Sequence, residues 1–560
     1  MSLERNPTTA LTWAGKTRRT CRAVRELLLR EYHGPCCESG PILSGSGSVC
    51  CQASLTQHHG KLSHYLPNLL VRADNRLLLS SLLRGPLRRA IDASGGIRLV
   101  YMDPPFAVGA NFTMRPAQLP PSRMTQEGAP GGATDAVAYS DIWPGGISGF
   151  LDMMYERLLL LHGLMALDGS LFLHCDHRAA PHLRLLLDEI FGPERFLGDI
   201  VWHYTGGGRA RRWFSRKHDR ILHYARSTSW TFNPDAVRVP YKPTSGYAKS
   251  GITSRAGKRY MPDSRGTPVD DVWDIPIINP LSFERVGYPT QKPESLLERI
   301  ILAASNPGDL VADFFCGSGT TAVVAERLGR RWLVCDSAPL AVQATRKRLH
   351  AQACAAALKA QPTAPFVLAD LEDGEEKKTT RPAKAPAKSP VFRHRARLKH
   401  GEIAYEVSEV RISTRRGEKG IFVQLDSFTT TLLEQTGSAA VLASDEEGRF
   451  FAEGVYSYGT RPEQKMPPDE VSRQNVALPW LDSWSVGIAP GPDLAGLALP
   501  SCRASALYNR VLWQAQRGRD NMLDLASPEL VLPGAGAYTD LVVTLSDIFG
   551  NESQLYIQES

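Results

Sequence analysis

The sequence predicts an α/β fold, a mostly parallel sheet flanked by helices, followed by a separate β-rich module. Three observations carry this. Between about residues 63 and 355, short apolar runs alternate with stretches whose apolar residues recur at helical spacing, a pattern that favours a parallel sheet with helices on both faces. Two of those runs, 97–102 and 310–312, each end on an aspartate at a turn: Asp103-Pro104-Pro105-Phe106 in the first case, Asp313 in the second. Beyond residue 390 the pattern shifts to short β-like segments with turn residues between them.

Residues 1–62 read as an irregular N-terminal extension, with linker-like Gly/Ser composition at 40–48. Cys21, Cys36, Cys37, Cys50 and Cys51 lie there near His33, His58 and His59, but adjacent pairs lack the Cys-x-x-Cys spacing of common zinc sites, so no metal is expected. Pro35-Cys36 has no preceding apolar strand and is not read as a nucleophile. Then come the strand 97–102, a helix at 150–167, a strand at 170–174, a helix at 178–191, the strand 310–312, a helix at 320–328 and a strand at 331–335 ending at Asp336. Cys175, Cys316, Cys335 and Cys354 fall in or beside these elements and read as reduced packing residues. Residues 356–391 include a charged, Pro/Ala-rich stretch and are expected to be a linker. Residues 392–560, with β-like segments at 403–411, 420–425, 450–455, 541–545 and 555–557, are expected to form an accessory domain, read as a β-sandwich, with a clamping, dimerisation or docking role.

The turn at Asp103 suits a planar amine. The lone pair of an exocyclic amino group on a base is delocalised into the ring, so a carboxylate and a carbonyl accepting its two hydrogens would draw the nitrogen toward a pyramidal, nucleophilic form. Asp103 and the Pro104 carbonyl can supply those acceptors, Pro104 and Pro105 stiffen the turn, and Phe106 offers a face on which a base can stack. The second turn, Asp313-Phe314-Phe315-Cys316-Gly317-Ser318-Gly319-Thr320-Thr321, passes from strand to helix with two glycines that let backbone approach a ligand. It is neither a phosphate loop nor the Gly-x-Gly-x-x-Gly fingerprint. Asp336 follows at about the twenty-residue spacing of a ribose-binding carboxylate, a position that also suits a helix N-cap.

These motifs, with Arg72-Ala73-Asp74-Asn75-Arg76 and the blocks 150–157, 168–176, 183–191 and Tyr288-Pro289-Thr290-Gln291-Lys292-Pro293 through 301, resemble S-adenosylmethionine-dependent DNA amino-methyltransferases. The catalytic block precedes the glycine loop, as in the permuted beta class that includes the modification subunits of type III restriction systems. The resemblance spans about residues 63–355 and implies a Rossmann-like catalytic domain with a target-recognition region at about 200–285. It implies Asp103, Pro104, Pro105 and Phe106 at the catalytic centre and S-adenosylmethionine as cofactor. Asp74 would meet its adenine end, Lys292 its methionine carboxylate, Asp313 its amino group and Asp336 its ribose. Phe315, Gly317, Gly319 and Thr320 would shape the loop around it. The amine would attack the sulfonium methyl directly.

Within 209–226, Arg209, Arg211, Arg212, Arg216, Lys217, Arg220 and Arg226 face one acid, Asp219, and Trp213, Phe214 and Tyr224 interleave with them. That mixture suits phosphate contact plus stacking, so double-stranded DNA is the expected partner, with Arg209, Arg211, Arg212, Trp213, Arg216 and Lys217 as its contacts. The net charge of +7 over 560 residues decides nothing by itself. With 42% hydrophobic and 22% charged residues and no apolar run of membrane-spanning length, a cytoplasmic multidomain protein is expected. No ATP loop or nuclease carboxylate motif is found, so restriction or defence activity would need a separate subunit. A homodimer is implied by the family alone. The leading Asp103 favours adenine-N6 over cytosine-N4 as target, and RNA amine methylation or a non-catalytic DNA-binding adaptor are the remaining alternatives.

Overall fold

The computed structural model describes residues 20–33, 67–114, 136–206, 209–242 and 244–357, short pieces within 11–17 and 42–52, and most strand segments between 366 and 557. In chain order the elements are β1 (Leu27–His33), β2 (Ile42–Leu43), β3 (Val49–Gln52), β4 (Asn68–Arg72), α1 (Asn75–Arg84), α2 (Leu87–Ala93), β5 (Ile97–Met102), β6 (Asn111–Met114), β7 (Ala136–Ser140), α3 (Ile147–His162), β8 (Met165–Cys175) and α4 (Ala180–Phe191). There follow β9 (Phe196–His203), β10 (His218–Ala225), α5 (Gly246–Ser250), β11 (Ile252–Thr253), β12 (Arg259–Tyr260), β13 (Val272–Asp274), α6 (Glu294–Ala304), β14 (Leu310–Asp313), α7 (Thr320–Arg327), β15 (Arg331–Asp336), α8 (Pro339–Ala357) and β16 (Phe366–Leu371). The C-terminal strands are β17 (Val391–Arg397), β18 (Ile403–Arg416), β19 (Ile421–Leu432), β20 (Ser438–Ser444), β21 (Phe450–Ser457), β22 (Leu481–Pro490), β23 (Arg503–Gln516), β24 (Tyr538–Asp547) and β25 (Glu552–Ile557).

The central strands run β8-β5-β14-β15-β4-β16, all parallel, with β10 and β9 added antiparallel beyond β8 and β13 parallel to β9 at the edge. Strands covered on both faces read as continuous apolar runs, and Leu69–Val71, Leu99–Met102 and Leu171–Leu173 are accordingly buried. One face packs against α1, α3 and α4 through Leu78, Phe150, Leu158 and Leu183; the other packs against α6, α7 and α8 through Leu296, Ile300, Val323 and Leu349. The expected α/β architecture with a parallel sheet is therefore present. Local signals set its edges: the Asp74 carboxylate caps α1 by accepting the Arg76 N–H at 2.8 Å, and Pro181 sits in the first turn of α4.

The termini depart from the sequence reading. Part of the stretch read as irregular, Leu27–His33, is strand β1, antiparallel to β16 and parallel to β23, and through it β22, β24 and β25 extend the central sheet. β16 itself falls inside the segment read as linker, and α8 runs to Ala357. Of the C-terminal strands described, β17–β21 form a sheet of their own. The join is held by buried charges. Arg346 on α8 donates to Glu31 at 3.1 Å and pairs with Glu552 at 2.6 Å, while Arg30 reaches Asp370 at 2.9 Å and Glu552 at 3.2 Å. Burial opposes the Glu31 charge, yet the Arg346 guanidinium and His33 hold its carboxyl far below the usual carboxylate range. β1 looked unlike a core strand because two of its charged residues, Arg30 and Glu31, find their partners hundreds of residues away.

The interval 200–285 joins the central sheet at both ends. Its first part belongs to β9 and β10 of the central sheet and its end to β13, leaving a loop at 204–217 and a meander at 226–271. Cys354 is disulfide-bonded and so differs from the reduced packing residue expected, whereas Cys175, Cys316 and Cys335 are buried free thiols. Among the described residues no helix is long and apolar enough to cross a membrane, and no cluster of His, Cys, Asp and Glu could hold a metal ion.

Candidate active site

β5 and β14 lie side by side, so the two turns that follow them open at the same edge of the sheet. This is where the strand order reverses and where open α/β sheets bind ligands. One cavity of about 600 Å³ spans the edge, and Asp74, Asp103, Pro104, Pro105, Phe106, Lys292, Asp313, Phe315, Gly317, Thr320 and Asp336 all line it. Gly319 stands just behind it at the start of α7.

At the first turn the Asp103 carboxylate is divided between two environments. Its Oδ2 accepts from the Lys292 ammonium at 2.5 Å, which also lies 5.5 Å from the Phe106 ring centre. Its Oδ1 is buried with no hydrogen-bond partner. Beneath it sits His174, fully buried at the end of β8, with Nδ1 2.8 Å from the Tyr101 hydroxyl and 3.9 Å from Asp103 Oδ1, and Nε2 3.4 Å from Asp219 Oδ2. Burial works against charge on Asp219, but contact with His174 outweighs it and the carboxyl is held below its ordinary value. The His174 ring nitrogens face the Tyr101 hydroxyl and Asp219, and neither makes a hydrogen bond to Asp103 Oδ1.

The turn is fixed from outside by a residue not singled out in the sequence. Asp141, 1% exposed, accepts the backbone N–H groups of Phe106 (3.1 Å), Ala107 (2.9 Å) and Val108 (2.8 Å) and the Trp143 indole N–H (2.8 Å). Ala107 is left-handed, with φ 57°, a conformation that a non-glycine residue holds only where its surroundings impose it.

The second turn is shaped by contacts that leave no room for side chains. A Cβ on Gly317 (φ 49°) would lie 3.2 Å from the Tyr288 ring, and one on Gly319 (φ 74°) 2.5 Å from the Thr345 side chain. Asp313 accepts from the Phe315 N–H at 2.9 Å and the Thr321 hydroxyl at 2.6 Å, and burial still pushes its carboxyl up to about 7. Asp336 accepts the N–H groups of both Gly317 and Ala338 at 2.9 Å, so it caps the segment entering α8 and also faces the cavity. Arg348, buried on α8, donates to the Ser318 carbonyl at 3.1 Å and the Thr320 hydroxyl at 2.8 Å, and Thr320 in turn donates to the Lys292 carbonyl at 3.2 Å. Asp74 accepts from Arg157 at 3.0 Å, and Asn75 joins Arg157 at 2.5 Å to the Phe314 carbonyl at 2.6 Å.

The arrangement differs from the expectation at Lys292, whose ammonium rests on the Asp103 carboxylate. It differs also within the basic cluster. Arg209, Arg211, Arg212 and Arg216 are exposed, with Trp213 63% and Phe214 98% exposed beside them. Lys217 instead folds its ammonium onto the Gly206 carbonyl, Arg220 pairs with Asp199, and Arg226 donates to the His162 carbonyl at 2.7 Å. The loop carrying the exposed arginines leaves the cavity wall at Tyr204 and returns at Asp219.

Residues 97–347 match the DNA methylase family. The chain is 27% identical to the type II methyltransferase M.EcaI of Enterobacter cloacae over 50% of this chain and 69% of that one. It is 30% identical to the DNA adenine methyltransferase YhdJ of Escherichia coli K12 over 42% of this chain and 70% of that one. A solved structure, the M1.HpyAVI-SAM complex, aligns with 50% of this chain and 98% of its own at 18% identity and a TM-score of 0.31.

Proposed function

The chain belongs to the DNA methylase family of adenine-N6 and cytosine-N4 methyltransferases, and from that premise we propose that it transfers a methyl group from S-adenosylmethionine to N6 of an adenine swung out of double-stranded DNA. The observation that supports this most is the single cavity lined by both the Asp103 turn and the Gly317 turn. The adenine preference rests on the leading aspartate of Asp103-Pro104-Pro105-Phe106 and on the name of the Escherichia coli relative. Cytosine-N4 is the second reading, since the family acts on both.

Fit to the methyl donor follows from the donor set at the sheet edge. Asp313 is a buried carboxylate whose ionised form is poorly compensated, and a cationic amino group would supply the missing charge. Asp336 and Asp74 line the cavity with carboxylates that suit ribose hydroxyls and an adenine amino group, and the positive-φ glycines let backbone lie against the ligand. When bound, S-adenosylmethionine supplies an electrophilic sulfonium methyl group. The Asp103 carboxylate and the Pro104 carbonyl accept the two hydrogens of the target amine and localise its lone pair. The Asp103 carboxylate then faces the positive charge that develops on the nitrogen. Phe106 stacks on the base, and Lys292 and Asp141 keep carboxylate and turn in place.

Sequencing modified bases in DNA from a methylation-free host that expresses the chain tests this. N6-methyladenine at a fixed motif is expected; N4-methylcytosine would move the assignment to the second reading, and unmodified DNA would end both.

Outcomes are expected for two further variants. Asp313→Asn weakens S-adenosylmethionine binding by more than about tenfold in calorimetry, since a buried charge loses its partner. The same variant is more stable than wild type without ligand, and the sign is fixed by burial. A carboxyl whose folded pKa is raised to about 7 favours the fold only at low pH, and that contribution is lost as pH climbs from the unfolded value of about 4. The stability gain of Asp313→Asn therefore grows between pH 4 and 7 and levels off above; a pH-independent difference would refute this. Arg211→Ala with Arg212→Ala lowers DNA affinity and reduces the slope of log affinity against log salt by about 2. An unchanged slope removes both from the interface.

A further inference from the structure

We propose that the loop at 278–287 is a wedge that enters the DNA stack and fills the gap left by the extruded nucleotide, with Leu281 and Phe283 as the inserted side chains. The inference rests on the base-extruding reading above and adds the means of extrusion. The chain leaves the cavity wall at Ile277 and rejoins it at Tyr288, so the loop between them stands on the cavity rim. Leu281 and Phe283 are two large apolar side chains at one turn, each 88% exposed. Water disfavours that arrangement, and a gap between base pairs offers flat apolar faces in its place.

The loop is stiffened from several sides. The Asn279 carbonyl and side chain accept the N–H groups of Ser282 and Leu281, both at 2.9 Å. Gln291 spans the base of the loop, accepting the Val286 N–H at 3.0 Å and donating to the Glu284 carbonyl at 2.8 Å. The Glu284 carboxylate accepts the Glu294 N–H at 2.6 Å, fastening the loop to the start of α6. A segment that must part stacked bases has to keep its shape under that load, and this bracing provides it. Arg285, exposed on the same loop, gives a cation for the flanking phosphate, and the arginine-bearing loop at 204–217 rises from the same rim. Charge and position together select nucleic acid as the occupant.

The test measures turnover by full-length wild type and by Leu281→Ala/Phe283→Ala on two duplexes containing the motif found in the host DNA. One is fully paired; in the other the target base faces an abasic position and needs no forcing out. The double variant should lose about thirtyfold or more on the paired duplex and less than about threefold on the abasic one, because an unpaired base is extruded there at little cost. Phe283→Trp, which keeps a large flat side chain, should retain most of the paired activity. Equal losses on both duplexes, or none on either, overturn the wedge. So does a change in sedimentation of the double variant without a change in paired turnover, which would make the loop a contact between copies of the chain. Wild type that methylates neither duplex overturns the underlying function instead, and the wedge with it.

Discussion

Asp103→Ala is expected to lower methyl transfer by about a thousandfold while shifting the S-adenosylmethionine dissociation constant by less than about threefold. The size follows from losing the acceptor that faces the amine as its charge develops. The separation of effects follows from geometry. Asp103 Oδ2 is taken by Lys292 and Oδ1 is the buried oxygen without a donor, whereas the groups at the glycine loop, Asp313, Gly317 and Asp336, are held by Phe315, Thr321 and Ala338 independently of Asp103. Removing the carboxylate also strips a mostly buried lysine of its counterion, so the variant should melt earlier. Asp103→Asn, which keeps volume and one carbonyl acceptor, separates loss of chemistry from loss of fold. Wild-type turnover in either variant would sink the assignment.

The second large effect is expected at Asp141, a positioning residue that touches the turn and not the base. Asp141→Ala leaves three backbone N–H groups and the Trp143 indole without their acceptor and releases Ala107 from its left-handed conformation. Misplacement of Phe106 and the Pro104 carbonyl by about 1 Å should reduce kcat by about a hundredfold with little change in KM for DNA. Asp141→Asn restores an acceptor but turns an amide hydrogen toward the same N–H cluster, so it should fall between the two. A variant that loses KM and kcat together, or neither, would show that the carboxylate only supports the fold.

Much of the site was legible because its signals are local. A stiff Asp-Pro-Pro turn after an apolar strand and a two-glycine turn before a helix carry their geometry in adjacent residues, whatever the rest of the chain does. Asp141 was not legible, since an aspartate between a hairpin strand and a Trp-Pro-Gly-Gly stretch reads as an ordinary turn former. Its value comes from the three donors that approach it across 33 to 35 residues of chain. His174, Tyr101 and Asp219 are equally silent in sequence: each belongs to a different strand, and only the order β10-β8-β5 brings them under Asp103. Arg220 and Arg226 taught the opposite lesson, since basic residues counted toward a DNA surface were claimed by Asp199 and the His162 carbonyl.

By itself the sequence determined the α/β class and the two turns that meet at the cavity, because period, proline and glycine act over a few residues. Only the tertiary structure decided that Lys292 rests on Asp103, that Asp141 clamps the turn and that an N-terminal strand carries the last β-strands onto the central sheet. Those choices depend on which distant charges share a buried space. A charge buried away from water must find its partner wherever folding places one.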